Sequence, residues 1–530
     1  MKRMHLIGIV LCMFLIFGGC ADTKNQKKYE EAVATLAQSQ LLLDGSNEMN
    51  GEVLAALESA SFQEPKNIIF MIGDGMGYGI IEAAQAAYGD QLWEGTLAMN
   101  HMPVVSSHIT YSASDAITDS AAGGTALATG YKTSNSTISM NWKATESYQT
   151  TLEVAAALGK STGIIATKAV TDATPASFTS HVGGRSLQEE IAGIQLQKMM
   201  DGELDLILGG GRMYYEAAEN ADLLSESQKK GVTYTTDWQE TVSASLPLIG
   251  LYGEEELDTE AEEIPYLANM TAKALELLSE DEDGFFLMVE GSQIDSYGHN
   301  NNLEEELEEL YAFDCAVAVA MRYVALHPDT VLIVTADHET GGMQLPKDLS
   351  KENLSEIYYT KADHSSRSVP VYAVGYRTAE LAGRINENAD IAAFVASLLG
   401  EESFGYQSVI HSLKGEEGLS GTELDLTCYA ETVSQITYAK VLHVTVTNQT
   451  DERLLAPVAT FWNGEWPSPS EPHKNYLEPK ETVTIHYVIP DRYWKKGKLS
   501  NVDHITFEIE GTAENYRFSD FRITERETGK

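Results

Sequence analysis

Six apolar runs constrain this chain more than any other feature: NIIFMIG (67–73), STGIIAT (161–167), LDLILGG (204–210), GFFLMVEG (284–291), TVLIVTAD (330–337) and VPVYAVG (369–375). Hydrophobicity that is nearly unbroken over this length fits strands buried on both faces, because a half-exposed strand would alternate polar and apolar residues. Ala/Leu-rich helical patterns lie between the runs and supply the covering layers. The expected core, over residues 63–405, is an α/β three-layer sandwich with a large, mostly parallel central sheet flanked by helices. Beyond about Leu413 the texture changes. KVLHVTVTNQT, ETVTIHYVIP, HITFEIEG and NYRFSDFRI alternate with period two between turn residues, which predicts an all-β, sandwich-like domain over 426–530 behind a linker at 406–425. Trp462, Trp466, Tyr493 and Trp494 in that domain suit either a sugar-binding face or ordinary packing.

The N-terminus carries an address. Lys2 and Arg3 precede an apolar run from Leu6 to Phe17, and FGGC ends at Cys20. That is a signal peptide over residues 1–20, and small residues before a cysteine resemble the lipobox at which bacterial lipoproteins are lipidated. Residues 21–62 read as a tether. The expected address is an exported cell-envelope lipoprotein, on the periplasmic or extracellular face, held to a membrane by a lipid on Cys20.

Charge narrows the partners. With 79 acidic against 36 basic residues, formally −43, the surface opposes nucleic acid and anionic membranes. The cysteines are Cys12, Cys20, Cys315 and Cys428, with no CxxC, so a metal would have to be held by histidines and carboxylates.

Such residues stand where the apolar runs end, which is where open α/β sheets bind ligands. Asp74 follows IIFMIG, between Gly73 and Gly75. A carboxylate there would repel the pyrophosphate of a dinucleotide loop; the alternative is that Asp74 ends a buried strand and points at a metal while the glycines let the backbone turn, and the rest of the chain must decide. Glu290 opens EGSQIDSYGH, which adds Asp295 and His299; TADHETGG supplies Asp337 and His338; KADHSS supplies His364. Each alone is ordinary, a helix cap or a loop histidine. The acidic run NNLEEELEEL after His299 reads as a solvated helix start. Asp119-Ser120 precedes a small-residue helix, so Ser120 is either a cap or a nucleophile activated by a helix N-terminus and a metal. DATPASFTSHVGGRS offers Asp172, Thr174 and Arg185, the last able to clamp an oxyanion with two parallel hydrogen bonds.

Taken together, GDGMG, TDSAAGGTALATG, DATPASF with its later Arg, LILGGGR, EGSQID with its later GH, TADHETGG and the His of KADHSS resemble bacterial alkaline phosphatases over about Lys66–Gly400. The resemblance implies two Zn²⁺ and one Mg²⁺ per chain. Asp295, His299 and His364 would hold the first zinc; Asp74, Asp337, His338 and Ser120 the second; Asp74, Thr174 and Glu290 the magnesium. Arg185 matches the phosphate-binding arginine, and Asp119 and Asp172 lie just behind the ligands. Ser296 stands where some relatives carry a basic or aromatic residue that reaches toward phosphate. Asp172, where many carry His, favours magnesium at the outer site.

The implied reaction is hydrolysis of small phosphomonoesters at alkaline pH through a phosphoserine on Ser120, and a homodimer is a further expectation. The competing readings are a phosphodiesterase or sulfatase of the same superfamily, or a surface lipoprotein whose β-domain binds a ligand while the catalytic domain is vestigial. DSAAG lacks the C/S-x-P-x-R context of sulfatases, and there is no GxSxG.

Overall fold

The computed structural model describes residues 51–258, 266–384, 387–401 and most of 404–526. Cys20 and the segment around it lie outside the described residues. Eleven strands belong to the catalytic half: β1 (Asn67–Gly73), β2 (Val104–His108), β3 (Ser161–Ala169), β4 (Leu206–Gly210), β5 (Thr233–Thr235), β6 (Leu248–Leu251), β7 (Phe285–Gly291), β8 (Thr330–Thr335), β9 (Glu339–Thr340), β10 (His364–Ser365) and β11 (Val369–Val374). Nine of them form one sheet in the order β2-β11-β8-β1-β7-β3-β4-β6-β5. Neighbours run parallel except around β11, which is antiparallel to both β8 and β2.

The apolar runs are buried on both faces, as their composition requires. Along β1, Ile69 and Met71 enter one core, while Ile68, Phe70 and Ile72 enter the other. The helices that matter below are α1 (Gly51–Ser59), α2 (Tyr78–Tyr88), α3 (Ser120–Thr129), α4 (Thr151–Ala157), α5 (Ala173–Thr179), α6 (Gln293–His299) and α7 (Leu303–Leu326). The first core packs α1, α2 and α7 against the sheet, and the second packs α3 and α4. Val53, Ala56 and Leu57 of α1 are buried in the first core, so the last part of the expected tether belongs to the fold. On α7, Glu304 is exposed, but Glu306 and Glu309 are buried and Glu306 accepts a hydrogen bond from Tyr359. The acidic run is therefore not uniformly solvated, because a loop folds over one side of the helix.

The C-terminal region forms a four-stranded and a five-stranded antiparallel sheet around its own core. The described residues of the span expected as a linker, 406–425, form strands rather than an open connection. Its strands Ser408–Ser412, Leu419–Ser420 and Glu423–Asp425 join these two sheets, and Ser408 pairs with Arg526 at the far end of the chain. Trp462 is half-buried, stacks on His504 and donates to Thr506 Oγ1 at 2.8 Å, which is packing. The side chains of Trp466, Tyr493 and Trp494 lie outside the described residues. Among the described residues no helix is long and apolar enough to cross a membrane.

Candidate active site

The C-terminal ends of β1, β3, β7 and β8 converge on one point of the sheet. Glu290 stands on β7 directly beside Ile72 of β1 and Ala166 of β3. Asp74 leaves β1 into a turn at Gly75, whose φ is +74° and whose missing Cβ would meet Asp295 Cα at 2.9 Å. Only glycine accepts both that conformation and that approach. Gly75 thus brings the Asp74 turn against α6.

Ser120 is the first residue of α3, with Asp119 as the N-cap: Asp119 Oδ1 accepts from Ala122 N at 3.0 Å and Oδ2 from Ser136 N at 2.9 Å. Cap and candidate nucleophile are therefore neighbours. Ser120 is buried, and its Oγ lies 3.1 Å from His338 Nε2. That nitrogen is also 3.3 Å from Asp74 Oδ1 and 3.3 Å from Asp337 Oδ2. Asp337 Oδ1 accepts from its neighbours' backbone, Gly75 N and His338 N.

A second cluster adjoins the first. Asp295 and His299 lie one turn apart on α6, with His299 Nε2 3.4 Å from Asp295 Oδ2. His364 comes from β10, which pairs with β9, and its Nε2 is 3.5 Å from Asp295 Oδ1 and 3.1 Å from His299 Nε2. His299 Nδ1 is 3.0 Å from the Ala362 carbonyl and His364 Nδ1 2.8 Å from that of Thr118. A carbonyl only accepts, so each Nδ1 donates a proton to it and each ring turns its Nε2 inward.

Residues that hold a metal should leave buried donors without hydrogen bonds. Asp74 Oδ1, Asp337 Oδ2 and Thr174 Oγ1 are such atoms. Three groups, Asp74–Asp337–His338, Asp295–His338–His364 and His299–Asp363–His364, each place their ligand atoms within 4.8 Å of one another. Burial and mutual repulsion push the acids up, Glu290 to about 8, Asp337 to about 6 and Asp74 well above the ordinary range. Burial works the same way on Asp295, but His364 and the other histidines hold it well below. A cation relieves this crowding, and the mixture of carboxylate, hydroxyl and imidazole suits zinc beside a harder ion. The donor set fits.

The remaining residues flank this centre. Asp172 caps α5 and Thr174 is buried in its first turn. Arg185 spreads its fork between two acids, Nη2 3.0 Å from Asp172 Oδ1 and Nη1 3.5 Å from Asp119 Oδ2. Burial disfavours its charge, yet Asp172 and Asp119 more than offset that. Ser296 is half-buried next to Asp295. Contacts join Asp74, Ser120, Asp337 and His338 to one another, Asp295, His299 and His364 to one another, and Arg185 to Asp119 and Asp172; Thr174 and Ser296 are placed only by their chain neighbours Asp172 and Asp295.

Sequence reasoning passed over Thr340, which donates to Asp295 Oδ1 at 2.5 Å and lies 3.3 Å from His338 Nδ1, tying the two clusters together. It also passed over Asp363, adjacent to His364, and Lys168, 3.5 Å from Asp172 Oδ2. Thr340 stands inside the TADHETGG motif, and that position was the available signal.

The alkaline phosphatase family profile matches residues 65–351. Alkaline phosphatase 3 of Bacillus subtilis is 35% identical over 296 residues, 54% of this chain and 63% of that protein. The repressible alkaline phosphatase of Saccharomyces cerevisiae is 35% identical over 341 residues, 57% of this chain and 60% of that protein. The match thus spans under two thirds of the length of either relative. The solved alkaline phosphatase of the Antarctic bacterium TAB5 superposes with a TM-score of 0.56 at 32% identity, over 64% of this chain and 99% of that one. With its profile, its sheet and its cluster of donors in agreement, this chain belongs to the alkaline phosphatase family.

Proposed function

We propose that this chain is a metal-dependent phosphomonoesterase that hydrolyses small phosphate monoesters at alkaline pH through a phosphoserine on Ser120. One observation carries the reading: Ser120 Oγ opens a helix amid buried ligand atoms, 3.1 Å from His338 Nε2. Asp295, His299 and His364 would hold one zinc; Asp74, Asp337, His338 and Ser120 a second; Asp74, Thr174 and Glu290 a magnesium. When bound, these ions supply Lewis-acid charge that lowers the proton affinity of a serine hydroxyl and of water.

The chain's own groups do the rest. Ser120 Oγ forms the bond to phosphorus while the ester oxygen departs with its electron pair and takes up a proton. The N-terminus of α3 favours negative charge on that serine. Arg185 turns its fork to the equatorial phosphoryl oxygens, held near them by Asp119 and Asp172. Water then displaces Ser120 from phosphorus, releasing inorganic phosphate and restoring the hydroxyl. Hydrogen bonds to the Ala362 and Thr118 carbonyls keep His299 and His364 in the tautomer that leaves Nε2 free.

The test is hydrolysis of p-nitrophenyl phosphate at alkaline pH before and after EDTA, with zinc and magnesium added back. The bis-p-nitrophenyl ester and p-nitrophenyl sulfate run beside it. Metal-restorable monoester turnover supports the reading. Preference for the diester or the sulfate moves the chain to a sister activity, and no turnover by zinc-loaded protein favours a binding role for the β-domain. We further propose that a lipid on Cys20 anchors the enzyme to the cell envelope and that two copies associate. A palmitate label lost in Cys20→Ala, and the mass of the lipid-free protein in solution, check these.

A further inference from the structure

We infer that Lys168 is a positioning residue of this site: it shares Asp172 with Arg185 and sets the local charge that an incoming phosphate and an outer cation both meet. The inference rests on the phosphomonoesterase reading above. Lys168 is near the end of β3, four residues before Asp172, and its Nζ lies 3.5 Å from Asp172 Oδ2. The other oxygen, Oδ1, accepts from Arg185 Nη2 at 3.0 Å and from Ala173 N at 2.7 Å. Asp172 is thus held at both ends, between an ammonium and a guanidinium, in one fixed orientation.

The ammonium does more than orient a neighbour. Burial opposes its charge, but the Asp172 contact at 3.5 Å outweighs that, with smaller support from the charges of Asp74, Asp295 and Glu290. Its side chain is 24% exposed, so most of its length is packed and the charge is delivered at a fixed place. Removing it leaves Asp172 with Arg185 as its one remaining cationic partner among the described contacts. The arginine is then drawn toward Asp172 and away from a substrate anion. The same loss makes the surroundings of Asp74 and Glu290 more negative, which favours a divalent cation there. One substitution therefore moves two equilibria in opposite directions, which loosened packing would not do.

The experiment uses the full-length zinc-loaded protein as wild type, Lys168→Met and Lys168→Arg. Magnesium affinity is measured by calorimetry, and inorganic phosphate affinity by inhibition of p-nitrophenyl phosphate hydrolysis, with kcat and KM recorded separately. Lys168→Met is expected to bind magnesium about fivefold more tightly and phosphate about fivefold more weakly, the size expected for one partly screened charge. Lys168→Arg is expected to return both constants toward wild type. Constants that stay put, that move in the same direction, or that Lys168→Arg does not restore overturn the inference. If Lys168→Met does not fold, Lys168→Gln removes the same charge. A wild type that binds magnesium but neither binds nor turns over phosphate esters overturns the functional reading instead, and the magnesium arm still decides what Lys168 does.

Discussion

Ser120 Oγ and His338 Nε2 face each other at 3.1 Å, the spacing of a serine–base pair, but their surroundings differ from those of one. The same nitrogen faces Asp74 and Asp337 at 3.3 Å each, and on its other side His338 Nδ1 meets the Thr340 hydroxyl where a triad would place a carboxylate. Three oxygens and a nitrogen converging in this way suit a metal ion better than a triad, and the proposed ligand role makes two predictions. Ser120→Ala is therefore expected to lower kcat by about a thousandfold or more while keeping its zinc. His338→Gln should lose zinc and turnover together. Metal content by mass spectrometry, measured beside kcat, separates the two, and a His338→Gln protein with full zinc would favour a base role.

Arg185 gives the second prediction. Its two terminal nitrogens already answer to Asp172 and Asp119, so its position is set before substrate arrives. Arg185→Ala should lower kcat/KM by about a hundredfold and weaken phosphate inhibition in parallel, roughly 3 kcal/mol of anion stabilisation. Arg185→Lys should recover little, because an ammonium cannot bridge two oxygens in one plane. Unchanged phosphate inhibition in Arg185→Ala would remove the arginine from the anion site.

A pH-dependent brace lies beside the site. His181 Nε2 meets Glu153 Oε1 at 2.8 Å, its Nδ1 meets the Ser139 carbonyl at 2.9 Å, and Lys198 joins the same carboxylate at 2.8 Å. Burial opposes both charges, but the contact raises His181 above its ordinary 6.5 and brings Glu153 from 4.5 down to about 2. The histidine's contribution is complete below its unfolded value and is lost as pH rises through the raised folded value. The glutamate's is present above its unfolded value and is lost as pH falls toward the folded one. The pair therefore stabilises most between 4.5 and 6.5. His181→Asn should cost about 1 kcal/mol near pH 6 and clearly less near pH 9. Melting temperatures of both proteins at the two pH values decide it; an equal deficit at both refutes the charge argument.

The strands and most of the site were legible because burial on both faces writes itself as unbroken apolar runs, and because acids where such runs end are costly without a purpose. Asp74, Glu290 and Asp337 each terminate or follow such a run. What was not legible depends on pairings distant in sequence. His364 reaches Asp295 only because β10 pairs with β9. Glu306 is buried only because Tyr359, on the loop between those two strands, comes back to it. The strand Ser408–Ser412 reads as linker in sequence because its five residues show little alternation and its partner lies at the far end of the chain. Lys168 falls one residue past the apolar run STGIIAT, and only the Asp172 contact gives it meaning.

The last prediction concerns how the β-domain bears on catalysis. Val441 and Val488, cross-strand partners in that domain, are buried against Ile109 and Tyr111 of the catalytic half. Tyr111 is fixed from below by the buried Lys132, whose Nζ lies 4.0 Å from the ring centroid and donates to the Tyr111 carbonyl at 2.6 Å. From Tyr111 the chain runs on to Thr118, whose carbonyl holds His364, and then to Ser120. A second contact sits on the segment that follows Asp337: Tyr476 donates to the Leu345 carbonyl and Arg453 Nη1 to that of Lys347 at 3.2 Å. The sandwich thus rests on two segments that lead directly to site residues, and the prediction is that it braces them. Val488→Asp places an unpaired carboxylate in the first contact and should cost about 3 kcal/mol there. Because the sandwich has its own core, the expected result is separation: two calorimetric transitions in place of one, zinc retained, and kcat lowered several-fold as the Tyr111–Ser120 segment loosens. One unchanged transition with wild-type kcat would mean that the two halves are merely adjacent, and that the segment before Ser120 is held from within the catalytic domain alone.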